Sequence, residues 1–134
     1  MKISLITPAK KSSKNGNRTT ALRWARILRD LGHHVDITVT YDGQKADLMI
    51  ALHAWRSAAA ITTYRKLYPD QPLILALTGT DINEFIHSDP KPTLASMETA
   101  DALVCLHDLV VDVTPKKFRK KLNVEYYSIP LVIN

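Results

Sequence analysis

Two rhythms of apolar residues alternate along this chain. Short, nearly unbroken runs occupy residues 2–7 (KISLIT), 46–52 (ADLMIAL), 72–77 and 102–106. A run without polar alternation is how a strand reads when helices cover both of its faces. The segment 46–52 is continuous rather than alternating and belongs at or near the centre of a sheet. Residues 34–40 read as another strand, with Val35, Ile37 and Val39 on one side, and 124–129 as a sixth. Between the runs the spacing becomes helical. Ala21, Leu22, Ala25, Ile27, Leu28 and Leu31 fall on one helix face, while Arg23, Arg26, Arg29 and Asp30 fall mostly on the other. Gly32 stops that helix. Residues 56–68 repeat the pattern, with Ala59, Ala60, Ile61, Tyr64 and Leu67 inward and Pro69 as the end. Asp81 with Glu84 three positions on has the form of a capping box opening a short helix. Residues 87–93 read as a loop, 94–100 as a helical piece, and 109–121 as a helix interrupted by Pro115.

Strict alternation of strand and helix predicts an α/β fold: a Rossmann-like, doubly wound, mostly parallel sheet of about six strands with helices on both faces. A length of 134 residues suits one such domain and no second of ordinary size. In the common strand order 3-2-1-4-5-6, the first and fourth strands lie side by side where the winding reverses, and ligands bind outside their carboxyl ends. Those ends carry the loop 10–18 and the turn 78–81, which this order makes neighbours.

Charge adds a direction. Lys plus Arg number 18 against 13 for Asp plus Glu, an excess that suits an anionic ligand. No basic segment is interleaved with exposed aromatics and no zinc-finger or RNA-recognition signature is present, so nucleic acid is not the expected partner. Cys105 is the single cysteine, inside an apolar run, where a thiol packs like a small hydrophobe. No apolar run approaches the roughly 20 residues of a membrane span, and residues 1–7 are too short for a signal-peptide core. A cytoplasmic address is the simplest expectation. The five histidines and one cysteine are scattered without ligand spacing, so neither a metal nor a cofactor is expected.

The loop 10–18 is the candidate anion receiver. Lys14 and Arg18 supply charge, Asn15, Gly16 and Asn17 supply adaptable backbone, and a helix amino terminus follows. It has neither the three-glycine dinucleotide spacing nor the glycine-to-Lys-Ser/Thr spacing of a P-loop. Asn17 is a candidate helix cap. His53 and Arg56 follow the third strand, where side chains project into the crevice. Thr78, Gly79 and Thr80 offer hydroxyls and amides at the fourth strand's end, and Asp81 reads first as a helix cap. His33 and His34 read as partners of a helix dipole, and His107 lies past the fifth strand without an evident partner.

Taken together, the segments GNRTTALRWARILRDLGH, ADLMIALHAWRSAAAI and ALTGTDI closely resemble the amino-terminal half of a family 4 glycosyltransferase of the GT-B fold. Within that family the chain is most similar to the selenosugar synthases of selenoneine biosynthesis. The resemblance implies that residues 1–134 form one acceptor-side domain, with the carboxyl-terminal domain that grips the nucleotide sugar absent from this chain. It implies that Lys14, Asn15, Gly16, Asn17 and Arg18 face donor phosphates, and that His53, Arg56, Thr78, Gly79, Thr80 and Asp81 line the acceptor side, with His53 as the possible base. The implied donor is a UDP-sugar, and the implied acceptor a small anion such as selenophosphate, gripped by Arg18 and Arg56. Alone, such a domain is expected not to turn over. The alternative is a non-catalytic anion- or nucleotide-binding Rossmann-like module.

Overall fold

The computed structural model describes residues 1–8, 16–105 and 112–124. Six strands, β1 (Lys2–Ile6), β2 (His34–Thr38), β3 (Leu48–Leu52), β4 (Leu73–Leu77), β5 (Ala102–Cys105) and β6 (Leu122–Val124), form one parallel sheet in the order β2-β1-β3-β4-β5-β6. Helix α1 (Gly16–Asp30) joins β1 to β2, α2 (Ala58–Leu67) joins β3 to β4, and α4 (Pro90–Thr99) precedes β5. Between β4 and α4 lie a π-helical turn, Asp81–Phe85, and the single turn α3 (Ile86–Ser88). A 3-10 segment, Lys116–Lys121, leads into β6. This is the expected α/β, Rossmann-like architecture.

Helices occupy both faces, and each face has its own core. Ile3, Leu5, Leu48, Ile50 and Leu52 pack with Ala21 and Ala25 of α1 on one side. Ile6, Met49, Ala51, Leu73, Leu75 and Leu77 pack with Ile61 and Tyr64 of α2 and Met97 of α4 on the other. Alternate residues of β3 serve the two cores, and all five are buried. That is why its sequence is apolar without interruption.

The strand order corrects one expectation. The first and fourth strands are not neighbours, because β3 stands between them. An order of 3-2-1-4 puts the third strand at the sheet edge, where the exposed side of a five-residue apolar run would have no partner. The observed order gives that run the interior and leaves β2, with its mixed burial, at the edge. The winding therefore reverses between β1 and β3.

Element boundaries differ, most at the end of the chain. The strand expected at 124–129 is observed at Leu122–Val124, and the helix expected at 109–121 includes the 3-10 segment Lys116–Lys121. Residues 109–111 and 125–129 lie outside the described residues. Gly32, at φ 95°, ends α1 as expected, with the His33 amide bonded to the Leu28 carbonyl across it. Helix α4 begins at Pro90, within the expected loop, because proline fits the first turn of a helix. The stripe assigned to α1 is rotated: Ala21 and Ala25 are buried, but Leu22 is 48% exposed and Arg18 only 9% exposed. Small alanines let the helix sit close to the sheet, which turns Leu22 to its flank. His33 and His34 lie beyond α1 rather than in its last turn. His33 Nδ1 meets the amino terminus at 3.0 Å and His34 pairs with Asp36 at 3.2 Å. Cys105 is fully buried.

Candidate functional site

Two loops meet at the carboxyl edge of β3 and β4, and a buried carboxylate holds them together. Asp81 is wholly buried. Its Oδ1 accepts the backbone N–H groups of Gly79 and Ile82, each at 2.9 Å, and of Thr78 at 3.1 Å. Its Oδ2 accepts the Ala54 N–H at 2.9 Å, across from the loop after β3. Asp81 is therefore the first residue of the π-helical turn and a brace between loops. The capping-box expectation is corrected, because the carboxylate turns back onto 78, 79 and the neighbouring loop instead of forward to Glu84. A charged acceptor with four amide donors is well satisfied despite burial, and Gly79 permits the bend by adopting φ 128°.

His53 leaves β3 with φ 78°, the one non-glycine residue with positive φ among those described. Its own amide continues the sheet by bonding to Ala76 at 2.9 Å, and its carbonyl accepts the Ser57 amide at 3.0 Å. The kink drops the ring inward to 1% exposure. Nδ1 accepts the Arg56 amide N–H at 3.0 Å, so in the neutral ring the proton sits on Nε2, which reaches Thr80 Oγ1 at 2.8 Å. The Thr80 oxygen accepts from His53, and its own proton is left to point outward. Burial lowers the His53 pKa below its ordinary 6.5, the Arg56 charge lowers it further, and the Asp81 carboxylate partly opposes both. His53 is held neutral with both ring nitrogens engaged, a geometry that positions a neighbour rather than one that takes a proton.

Around this pair stands an aromatic wall that the sequence reading did not single out. Trp55 and Phe85 stack at 4.1 Å with planes 4° apart, and the indole N–H donates to Asp89 at 3.0 Å. The His53 ring meets the Phe85 edge at 5.6 Å, and the exposed Arg56 guanidinium lies 5.6 Å from both aromatic centroids. No sequence signal gave this wall, because Phe85 lies in a π-helical turn, whose extra residue per turn departs from any regular helical period. Arg56 also lines a cavity of about 130 Å3 with Ile6 at the end of β1, Thr40 and Tyr41 beyond β2, and Ala59 and Ala60 in the first turn of α2. That cavity sits at the β1/β3 reversal, where this topology places ligands.

Of the expected site residues, the structure brings together His53, Arg56, Thr78, Gly79, Thr80 and Asp81. Thr80 is exposed and Asp81 faces wholly inward. Gly16 and Asn17 form the start of α1, at the same edge of the sheet, and Arg18 lines a different cavity from Arg56. Lys14, Asn15 and His107 lie outside the described residues. Among the described residues no helix is long and apolar enough to cross a membrane, and no group of three or more His, Cys, Asp or Glu side chains gathers as a metal site would require. Comparison with known proteins gives no matching family model and no matching curated protein.

Proposed function

We propose that this chain is the acceptor-side domain of a glycosyltransferase that moves a sugar from a UDP-sugar to a small anionic acceptor, with selenophosphate as the leading candidate. The reading rests on the sequence resemblance together with one observation. His53, bent out of β3 at positive φ, and Thr80, bent out of β4 by the Asp81 brace, join at the strand ends beside an exposed Arg56.

In this reading Arg56 attracts the acceptor, and its planar fork matches paired oxygens. Thr80, fixed as an acceptor from His53, donates its proton to an acceptor oxygen. The Trp55–Phe85 wall excludes water from one side and gives a sugar ring an apolar face to lie against. The start of α1 at Gly16 and Asn17 turns the positive pole of a 15-residue helix toward the donor's pyrophosphate. A selenophosphate nucleophile is already anionic, so no base is needed and His53 acts by orientation. Catalysis in such a site is positioning and electrostatic stabilisation of the leaving pyrophosphate.

The test is sugar transfer from UDP-N-acetylglucosamine to selenophosphate by this chain joined to a carboxyl-terminal nucleotide-binding domain. It is coupled to titration of the 134-residue chain alone with phosphate or thiophosphate. Arg56→Gln is expected to weaken acceptor binding at least 10-fold, and Thr80→Val to lower turnover with little change in fold. If the chain binds UDP tightly, ignores acceptor anions and supports no transfer in the joined protein, a non-catalytic nucleotide-binding module replaces the transferase.

A further inference from the structure

A second polar cavity, of about 560 Å3, lies along the open edge of the sheet and shares none of its described lining with the cavity at Arg56. Its walls are Arg18, Leu22 and Arg29 of α1, Ile37 and Thr38 of β2, and Gln44. Residues 18, 22 and 29 share one stripe of the helix, roughly 16 Å long at 1.5 Å per residue. Among the described residues, strand β2 pairs only with β1. The His34 amide bonds to the Met1 carbonyl and the Thr38 carbonyl accepts the Thr7 amide, so by alternation Val35 and Ile37 turn their backbone groups outward. Arg29 Nη2 donates to the outward Val35 carbonyl at 2.7 Å. Next to it the amide and carbonyl of Ile37 face the cavity.

Arg18 makes this groove more than an edge. It is nine-tenths buried, and its Nε has no hydrogen-bond partner among the described residues. A guanidinium N–H removed from water and left unbonded is destabilising. The exposed Leu22 one turn along shows that α1 does not bury this flank for its apolar content. One carboxylate, Asp36, also lines the groove, with Oδ1 3.2 Å from His34 Nε2, against the two guanidinium charges of Arg18 and Arg29. Arg18 and Arg29 thus leave a positive groove with polar groups of Thr38, Gln44 and the Ile37 backbone along it.

We infer that the groove between α1 and the β2 edge is a second binding site, for a small molecule bearing a phosphate or carboxylate group that seats on Arg18. Arg18 lines the groove, and an edge of a guanidinium presents two parallel N–H donors, the geometry that both oxyanions accept. Arg29 adds charge at the far end, and the polar body of the ligand lies along Thr38, Gln44 and the outward face of Ile37. The inference does not rest on the sugar-transfer reading, which uses Arg56, Thr80 and the β1/β3 reversal.

Two-dimensional amide NMR of the 134-residue chain tests it, with inorganic phosphate, acetate and sodium chloride added at matched ionic strength. Saturable shifts of the Ile37, Thr38 and Gln44 amides and of the Arg18 Nε–H signal are expected with phosphate or acetate and not with chloride. The tighter of the two identifies which oxyanion the site takes. Arg18→Gln is expected to weaken that binding at least 10-fold, Arg18→Lys to weaken it while keeping charge and fold, and Arg56→Gln to leave it unchanged. Equal shifts with chloride, shifts that survive Arg18→Gln, or shifts confined to residues around His53 and Thr80 would overturn the second site. The last pattern would leave the reading of the first site standing.

Discussion

At the scale of single residues, the buried carboxylate of Asp81 has the largest consequence. It satisfies amides on both loops, so Asp81→Asn replaces a charged acceptor by an amide whose N–H2 must face a backbone donor. The expected cost is roughly 2–4 kcal/mol, read by chemical denaturation, since losing a hydrogen bond to a buried charged group is worth about 1.5–3 kcal/mol before desolvation is counted. His53 carries a second prediction, in pH. Its folded pKa is lowered, so the unfolded chain binds the proton more readily. The stability that neutral His53 contributes is whole above its ordinary value of 6.5 and is lost as the pH falls below it. Thermal midpoints measured on acidification from pH 7.5 should decline through this window, and His53→Asn, which tolerates positive φ, should flatten the decline. The sequence placed His53 and Arg56 at a strand end because a histidine and an arginine there interrupt an apolar run. It gave no access to the ring's two hydrogen bonds, which depend on a left-handed backbone and on a hydroxyl 27 positions away.

Elements carry a different kind of information. The amphipathic period of α1 identified a helix correctly but misjudged its rotation, because Ala21 and Ala25 weigh little on a hydrophobicity pattern and yet set the closest approach to the sheet. The π-helical turn was out of reach for a related reason, since a widened turn has no period of its own and depends here on the Asp81 brace. Two glycines separate these levels. Gly79 holds φ 128° in open space, so Gly79→Ala is expected to destabilise by about 1 kcal/mol or more through backbone strain alone. Gly16 begins α1 with nothing within 4 Å of an added Cβ, so Gly16→Ala is expected to stabilise by about 0.4–1 kcal/mol. Opposite shifts of the two thermal midpoints would confirm that the fold needs a glycine in the turn at 79 and not at the start of α1. Equal shifts would show that the turn after β4 is freer than its geometry implies.

For the whole molecule, sheet order decides which loops face each other and therefore which residues share a site. A third strand buried on all five positions already argued for an interior place, and the common order 3-2-1-4 sets that argument aside by moving it outward. Hydrogen exchange distinguishes the two arrangements without reference to function. In the order β2-β1-β3-β4, both edges of β3 are bonded, so every amide from Met49 to Leu52 should exchange only through global unfolding. The outward amides of Val35 and Ile37 at the β2 edge should exchange orders of magnitude faster, except where a ligand in the Arg18 groove covers Ile37. If alternate amides of β3 exchanged as fast as Ile37, β3 would be an edge strand, β1 would lie against β4, and the pairing of His53 with the turn at Thr80 would have to be redrawn.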